Sequence, residues 1–345
     1  MTTNKTKSLN TNTAQVVEYS RNKELDRLEN LAEFHRQERN ERANKIFEEI
    51  QKSTLHRAWG VLQENWVSNV GKMKTGISKL DELLGGGFNT KTFSVLGANS
   101  SIGKTTLALQ IACNVAKTGR SVLFFSLEMS EAEVISKIIS REIREQESNK
   151  NKWLTTDNIF SCEPQTQNYI YSFIHQEANK WLNNLFIKTF KEPISVDEID
   201  KVIAEHKDAI GFYPLVIIDY VHIIKPEEKT RDERQNITQI ITKLKKSSVN
   251  NEAHIMGIIP FNRASVVASL HAGRETSTIE YTADYFIGLD LKGIKEDSKQ
   301  ADKETALKGV DGKREVTLHL LKNRNGAVGK VDLIFETRYN LFKQG

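Results

Sequence analysis

The sequence predicts an α/β fold: a mostly parallel sheet with helices on both faces, an antiparallel C-terminal extension, and a charged helical arm in front. Three observations predict it. Short apolar runs alternate with helical patterns through the middle of the chain. The last apolar runs follow one another with no helix between them. Residues 23–66 are highly charged outside two thin apolar stripes.

Residues 1–20 are polar and aperiodic, the composition of a disordered segment, and they lack the apolar core of an export signal. Residues 21–70 read as a helical arm or linker, with no Gly or Pro between Lys23 and Gly60. Leu25, Leu28, Leu31 and Phe34 form one stripe; Ile46, Phe47, Ile50, Leu55, Trp59 and Leu62 form a second. So narrow a stripe buries little alone, so the arm is expected to dock, on its own domain or on a neighbouring subunit.

Residues 71–345 read as one domain. Thr75–Leu84 followed by Gly85, Gly86 and Gly87 is a short helix with a glycine stop. Strands are expected at Phe93–Leu96, Val122–Leu127, Leu185–Thr189, Leu215–Asp219, His254–Ile259, Tyr285–Leu289, Val316–Leu321 and Val331–Phe335. Helical patterns lie at 104–118, 130–145, about 166–182, 195–207 and 231–249. Leu291–Arg314, rich in Lys, Asp, Glu and Gly, reads as a solvated loop or hairpin tip and not as a functional patch.

Composition narrows the function classes. No apolar run approaches the roughly 20 residues of a membrane span, which argues against a membrane partner. The two cysteines, Cys113 and Cys162, offer no metal-ligand spacing and fit a reducing cytoplasm, Cys113 as a core thiol. A net charge of +4 permits nucleic acid as a partner without requiring it.

The chemistry begins at Ala98-Asn99-Ser100-Ser101-Ile102-Gly103-Lys104-Thr105-Thr106, set between an apolar strand and an apolar-periodic helix. Strand, tight loop and helix are the context of a phosphate-cradling loop. Its backbone N–H groups would wrap the phosphates of ATP, Lys104 would face the β/γ oxygens, and the Thr105 hydroxyl would ligate Mg²⁺. Ala98 stands where this motif has its first Gly. Asp219 ends the apolar run Leu215–Ile218, which sets it at the C-terminal edge of the sheet, where it can hold the Mg²⁺ shell. Glu128, in Ser126-Leu127-Glu128-Met129-Ser130, is placed to orient and deprotonate an attacking water; a helix-cap partner is the competing reading.

The loop, the Ser126–Ser130 pentapeptide and Ile218-Asp219-Tyr220-Val221-His222 together resemble the C-terminal ATPase domain of DnaB-type replicative helicases. Glu233-Arg234-Gln235, Phe261-Asn262-Arg263, Arg274-Glu275, Ile279-Glu280, Ala283-Asp284 and Lys322-Asn323-Arg324-Asn325-Gly326 with Gly329 match in the same order. The resemblance covers about residues 75–342. It implies a RecA-like P-loop NTPase core, a homo-hexameric ring with ATP between subunits, and translocation on single-stranded DNA. It further implies that Lys322 and Arg324 reach the neighbouring subunit's γ-phosphate, the competing reading being a solvated pair on an edge strand. Arg274 and Glu275, with Arg263, match a channel-facing DNA loop; a plain surface loop would have the same composition.

The pattern departs in places. The family has Gln at Pro260, Gly at Ser277, Ser at Thr276 and an acidic residue at Thr282. These changes fall on the DNA-coupling side, whereas the phosphate-facing residues are kept. The family's globular N-terminal domain is also missing, the charged helix standing in its place as a docking segment for primase, a loader or another replication protein. The expected function is an ATP-driven DNA motor of helicase type. The alternative is a non-translocating ATPase that gates assembly or loading.

Overall fold

The computed structural model describes residues 23, 26–46, 48, 72–190, 192–211, 213–261, 279, 281–295 and 298–345. The chain divides into two units, Met1–Val70 and Gly71–Gly345. In the first, residues 26–46 are helical, and Leu28, Leu31, Phe34 and Ile46 are each about half exposed. The expected disorder of 1–20 and most of the second stripe lie outside the described residues.

Among the described residues, the second unit is built on a nine-stranded sheet: β1 (Thr92–Ala98), β2 (Val122–Ser126), β3 (Leu185–Thr189), β4 (Leu215–Asp219), β5 (His254–Pro260), β6 (Tyr285–Leu291), β7 (Lys313–Asn323), β8 (Gly329–Glu336) and β9 (Leu341–Gln344). Their order is β3-β2-β4-β5-β1-β6-β7-β8-β9, parallel as far as β6 and antiparallel beyond. The parallel strands are apolar throughout because both faces are covered. Leu96, Phe124, Ile217 and Ile258 enter one core with Leu107, Ile111, Val134 and Ile138. The intervening Val95, Phe125, Ile218 and Ile259 enter the other with Ile199, Ile203, Ile237 and Ile241.

Nine helices accompany the strands among the described residues of this unit: α1 (Ser78–Leu83), α2 (Lys104–Lys117), α3 (Glu131–Gln146), α4 (Thr156–Phe160), α5 (Pro164–Phe173), α6 (Asn179–Leu182), α7 (Val196–Ile210), α8 (Glu233–Asn250) and α9 (Gln300–Lys308). Ser130 and Ser195 open α3 and α7 with capping boxes to Glu133 and Glu198. Cys113 is fully buried on α2 and desolvation pushes its thiol up to about 11, so it stays a neutral core group.

Two expectations need correction. The pattern at 166–182 is not one helix: a π-turn at Ile174–Ala178 separates α5 from α6. Leu291–Arg314 is more than a solvated loop. It contains α9, which buries no side chain, and its last residue reaches the phosphate loop, as described below. At the end of β7 a register shift at Phe286/Ile287 falls just before Lys322, the strand stops at Asn323, and Arg324 stands one residue beyond it with its N–H donating to the Asp284 carbonyl.

Candidate nucleotide site

β1 ends in Ala98, paired with Pro260 on one side and Leu289 on the other. Because Ala98 is still in extended strand and fully buried, glycine's conformational freedom is not needed there. The turn itself is made by Ser101, at φ 65°, and Gly103, at φ 110°. A side chain at Gly103 would be strained in that backbone and would also meet the Phe335 ring, its Cβ lying 2.8 Å from Cε1. Asn99, Ser100, Ser101, Ile102, Gly103 and Lys104 therefore form a compact loop ending on the first turn of α2. Ile102 and Thr106 are buried beneath it, and Lys104 and Thr105 are partly exposed on it.

One strand, β5, separates β1 from β4, so Asp219 stands across the sheet edge from Thr105. Asp219 is 1% exposed. Neither carboxylate oxygen has a hydrogen-bond partner of normal geometry among the described residues, although Thr105 and Lys104 lie close enough to favour its charged form. Desolvation dominates and, with the nearby Glu128 charge, holds the carboxyl up at about 6. An orphaned, buried carboxylate beside a threonine hydroxyl at a helix N-terminus is a donor set that fits a hard divalent cation. The residues present fit Mg²⁺.

Glu128 follows β2 and is exposed. The Leu127 N–H donates to the Asp219 carbonyl at 2.8 Å, and Ser126 Oγ donates to the Met129 carbonyl at 2.6 Å. These bonds fix the turn that carries Glu128 next to Asp219. The helix-cap reading fails, because Ser130 and Glu133 close the capping box of α3 between themselves. Glu128 makes no hydrogen bond or ion pair among the described residues, and its charge is felt by both Asp219 and Tyr220.

Two residues near this edge were not expected from the sequence. Arg314, on β7, donates from Nη1 to the Ser101 carbonyl at 2.6 Å. That carbonyl belongs to the peptide whose N–H is that of Ile102, so the guanidinium holds and polarises one donor of the loop. Lys137, on α3, is half-buried and feels the charge of Asp219, while desolvation lowers its pKa. Arg314 lies 213 positions from Ser101 inside a charged run, where no local pattern marks it. Lys137 could have been suspected from its place one turn after Glu133 in a helix that starts at the sheet edge.

Lys322 and Arg324 are not part of this edge. Lys322 pairs in register with Phe286, and the Arg324 N–H donates to the Asp284 carbonyl at 2.9 Å. Asp284 in turn bonds Phe93, near the start of β1, five residue steps before Ala98. At about 3.3 Å per step the two ends lie roughly 16 Å apart along the strand. Arg263, Arg274 and Glu275 lie outside the described residues.

The fold and the loop define a RecA-like P-loop ATPase. Residues 72–344 match the family model described as the DnaB-like helicase C terminal domain, and the chain belongs to that family, which makes it an ATP hydrolase of helicase type. It is 27% identical over 334 residues to the replicative DNA helicase DnaC of Bacillus subtilis (strain 168), covering 94% of this chain and 68% of the relative. It is 28% identical to the replicative DNA helicase DnaB of Geobacillus stearothermophilus over 278 residues, covering 78% of this chain and 55% of the relative. The chain thus spans between about half and two thirds of these relatives' length. Among solved structures, one described as an ATPase domain superposes with a TM-score of 0.69 at 23% identity, covering 85% of this chain and 99% of that one. A DnaB-like replicative helicase, described with its interactions with primase, superposes with a TM-score of 0.65 at 22% identity, covering 84% and 66%. Among the described residues no helix is long and apolar enough to cross a membrane.

Proposed function

We propose that this chain is an ATP-driven DNA motor of the replicative-helicase type, which hydrolyses ATP between the subunits of a hexameric ring and moves on single-stranded DNA. One observation carries the ring reading: of the family's basic pair, Lys322 lies level with Val95 and Arg324 level with Phe93, five residue steps along β1 from where the phosphate loop of its own subunit begins. A cation there has no nucleotide of its own to act on and is available only to that of another copy.

In this reading Ala98–Thr106 cradles the phosphates, with Lys104 against the β/γ oxygens. Thr105 and Asp219 hold Mg²⁺, which when bound neutralises charge on those oxygens. Glu128 takes the proton of the attacking water. Arg324, from the next subunit, stabilises charge on the transferring phosphoryl group, so hydrolysis depends on assembly. Arg263, Arg274 and Glu275 are assigned to single-stranded DNA through its phosphates. Residues 21–70, with their half-exposed apolar stripe, are assigned to a partner such as primase or a loader in the cytoplasm.

The test is steady-state ATP hydrolysis with and without single-stranded DNA, with Lys104→Ala as the blank. A motor is expected to show DNA stimulation that vanishes in the blank; unstimulated turnover would oppose it. One observation favours the second reading, a non-translocating ATPase that gates assembly. Pro260 pairs with Ala98 between the loop and Asp219, and proline offers neither a side-chain hydrogen bond nor an N–H there. Under that reading Pro260→Gln raises DNA-stimulated hydrolysis several-fold; under the motor reading the native protein is already coupled and the change is small.

A further inference from the structure

Asp284 is a buried carboxylate that the chemistry above does not use. Its side chain is 3% exposed, and three donors from three separate elements converge on it. Oδ2 accepts the Phe93 N–H at 2.8 Å, at the start of β1, and the Lys245 ammonium at 2.6 Å, from α8. Oδ1 accepts Arg324 Nη1 at 2.9 Å, from the segment after β7. The backbone repeats the tie: the Asp284 N–H donates to the Phe93 carbonyl at 2.8 Å and the Arg324 N–H to the Asp284 carbonyl at 2.9 Å. Lys245 is itself held by the Lys91 carbonyl at 3.3 Å.

This arrangement orients Arg324 without consuming it. The contact takes one of the guanidinium's five N–H donors, and the side chain remains 51% exposed. A free arginine on an exposed turn samples many rotamers; one tied to a buried, twice-bonded carboxylate is held near a single position. The carboxylate is also bonded to β1, whose far end becomes the phosphate loop. The same strand thus links a subunit's own nucleotide to the arginine it would present outward.

We propose that Asp284 is the positioning residue for the arginine that acts in trans, with Lys245 compensating the charge its second oxygen carries. The inference rests on the proposed role of Arg324 in a neighbouring subunit's site. Asp284 touches no nucleotide; it acts through Arg324.

The experiment compares ATP turnover and ATP affinity of the full chain as Asp284→Asn, Arg324→Ala and the double variant. Asp284→Asn keeps the shape and an acceptor oxygen, and is expected to lower kcat roughly 10–100-fold while the Kd for ATP changes less than twofold. The double variant is expected to be no slower than Arg324→Ala alone, because both changes remove the same function. Mixed rings add a readout that a merely structural residue would not move. Lys104→Ala subunits carry a correctly held Arg324, so mixing them with Asp284→Asn subunits is expected to turn over faster than the sum of the two preparations. Should Asp284→Asn fold poorly, Asp284→Asn with Lys245→Met removes the stranded ammonium and is assayed the same way. A kcat within threefold of the unaltered chain, or a loss that adds fully to that of Arg324→Ala, overturns the inference while leaving the trans arginine standing. Full turnover in Arg324→Ala overturns both.

Discussion

Arg324→Ala is expected to reduce ATP turnover of the assembled protein by roughly a thousandfold or more, the scale on which a trans arginine stabilises phosphoryl transfer. The Kd for ATP on the unassembled chain is expected to stay within twofold. Both halves follow from the sheet. β6 runs parallel to β1, and β7 returns antiparallel to β6, so β7 ends level with Ser94, and Arg324, just beyond it, lies level with Phe93 and away from Ala98. The roughly 16 Å along β1 exceeds the reach of an arginine side chain, and Arg324 is moreover tied to Asp284. Removing the guanidinium therefore leaves the subunit's own phosphate loop untouched. A side chain half exposed beside a buried aspartate also contributes little to folding, so the variant is expected to melt within a few degrees of the unaltered chain. Measuring turnover on preassembled rings and binding on dilute chain separates the two halves. Turnover within threefold, or a tenfold weaker Kd on the isolated chain, would sink the trans assignment.

How far the sequence foretold this site depends on how local each signal is. The phosphate loop was legible because strand, turn and helix follow within a dozen residues, and Gly103-Lys104-Thr105 sits at their junction. Asp219 was legible for the same reason, as a carboxylate ending a fully buried strand. Glu128 was legible as a position but not as a role; the capping box of Ser130 and Glu133 settles only that the helix does not need it. Contacts made across the fold left no such trace. Arg314 reads as one more charge in a charged run, yet the β7–β8 register carries it to the Ser101 carbonyl. Asp284 was noticed as part of a resemblance, but only the meeting of β1, α8 and the end of β7 gives it three donors. The bulge before Lys322 left only the doublet Leu320-Leu321, Leu320 in one core and Leu321 against the other, a break in the β7 alternation too slight to mark a register shift. The missed strand β9 is only four residues long, too short for its alternation to stand out.

Asp219→Asn is expected to make the nucleotide-free protein more stable near neutral pH while abolishing Mg²⁺-dependent hydrolysis. The sign follows from the shift. In the unfolded chain an aspartate titrates near 3.8; buried beside Thr105 and Glu128 it titrates at about 6. The folded state thus binds the proton more tightly, and its disadvantage on ionisation grows as pH rises from about 4 to about 6, then stays constant. About two pH units correspond to roughly 3 kcal/mol, an order-of-magnitude figure that the amide's own hydrogen-bonding needs will reduce. At pH 7.5 the variant should therefore melt several degrees above the unaltered chain, and below about pH 4 the two melting temperatures should converge. Mg²⁺ with nucleotide reverses the ranking, because a cation relieves the buried carboxylate and has no such partner in the amide. The unaltered chain is then expected to gain more stability from ligand than the variant does. Differential scanning calorimetry at pH 4, 6 and 7.5, with and without Mg²⁺ and ATP, checks every limb. Equal melting temperatures at pH 7.5, or a gap that does not change with pH, would mean that the carboxylate is solvated in the free protein. Such solvation would contradict a side chain only 1% exposed and without a well-formed hydrogen bond to either oxygen. The stability lost at Asp219 without ligand is the counterpart of its suitability for a metal: a carboxylate satisfied within the protein would have less to gain from the cation.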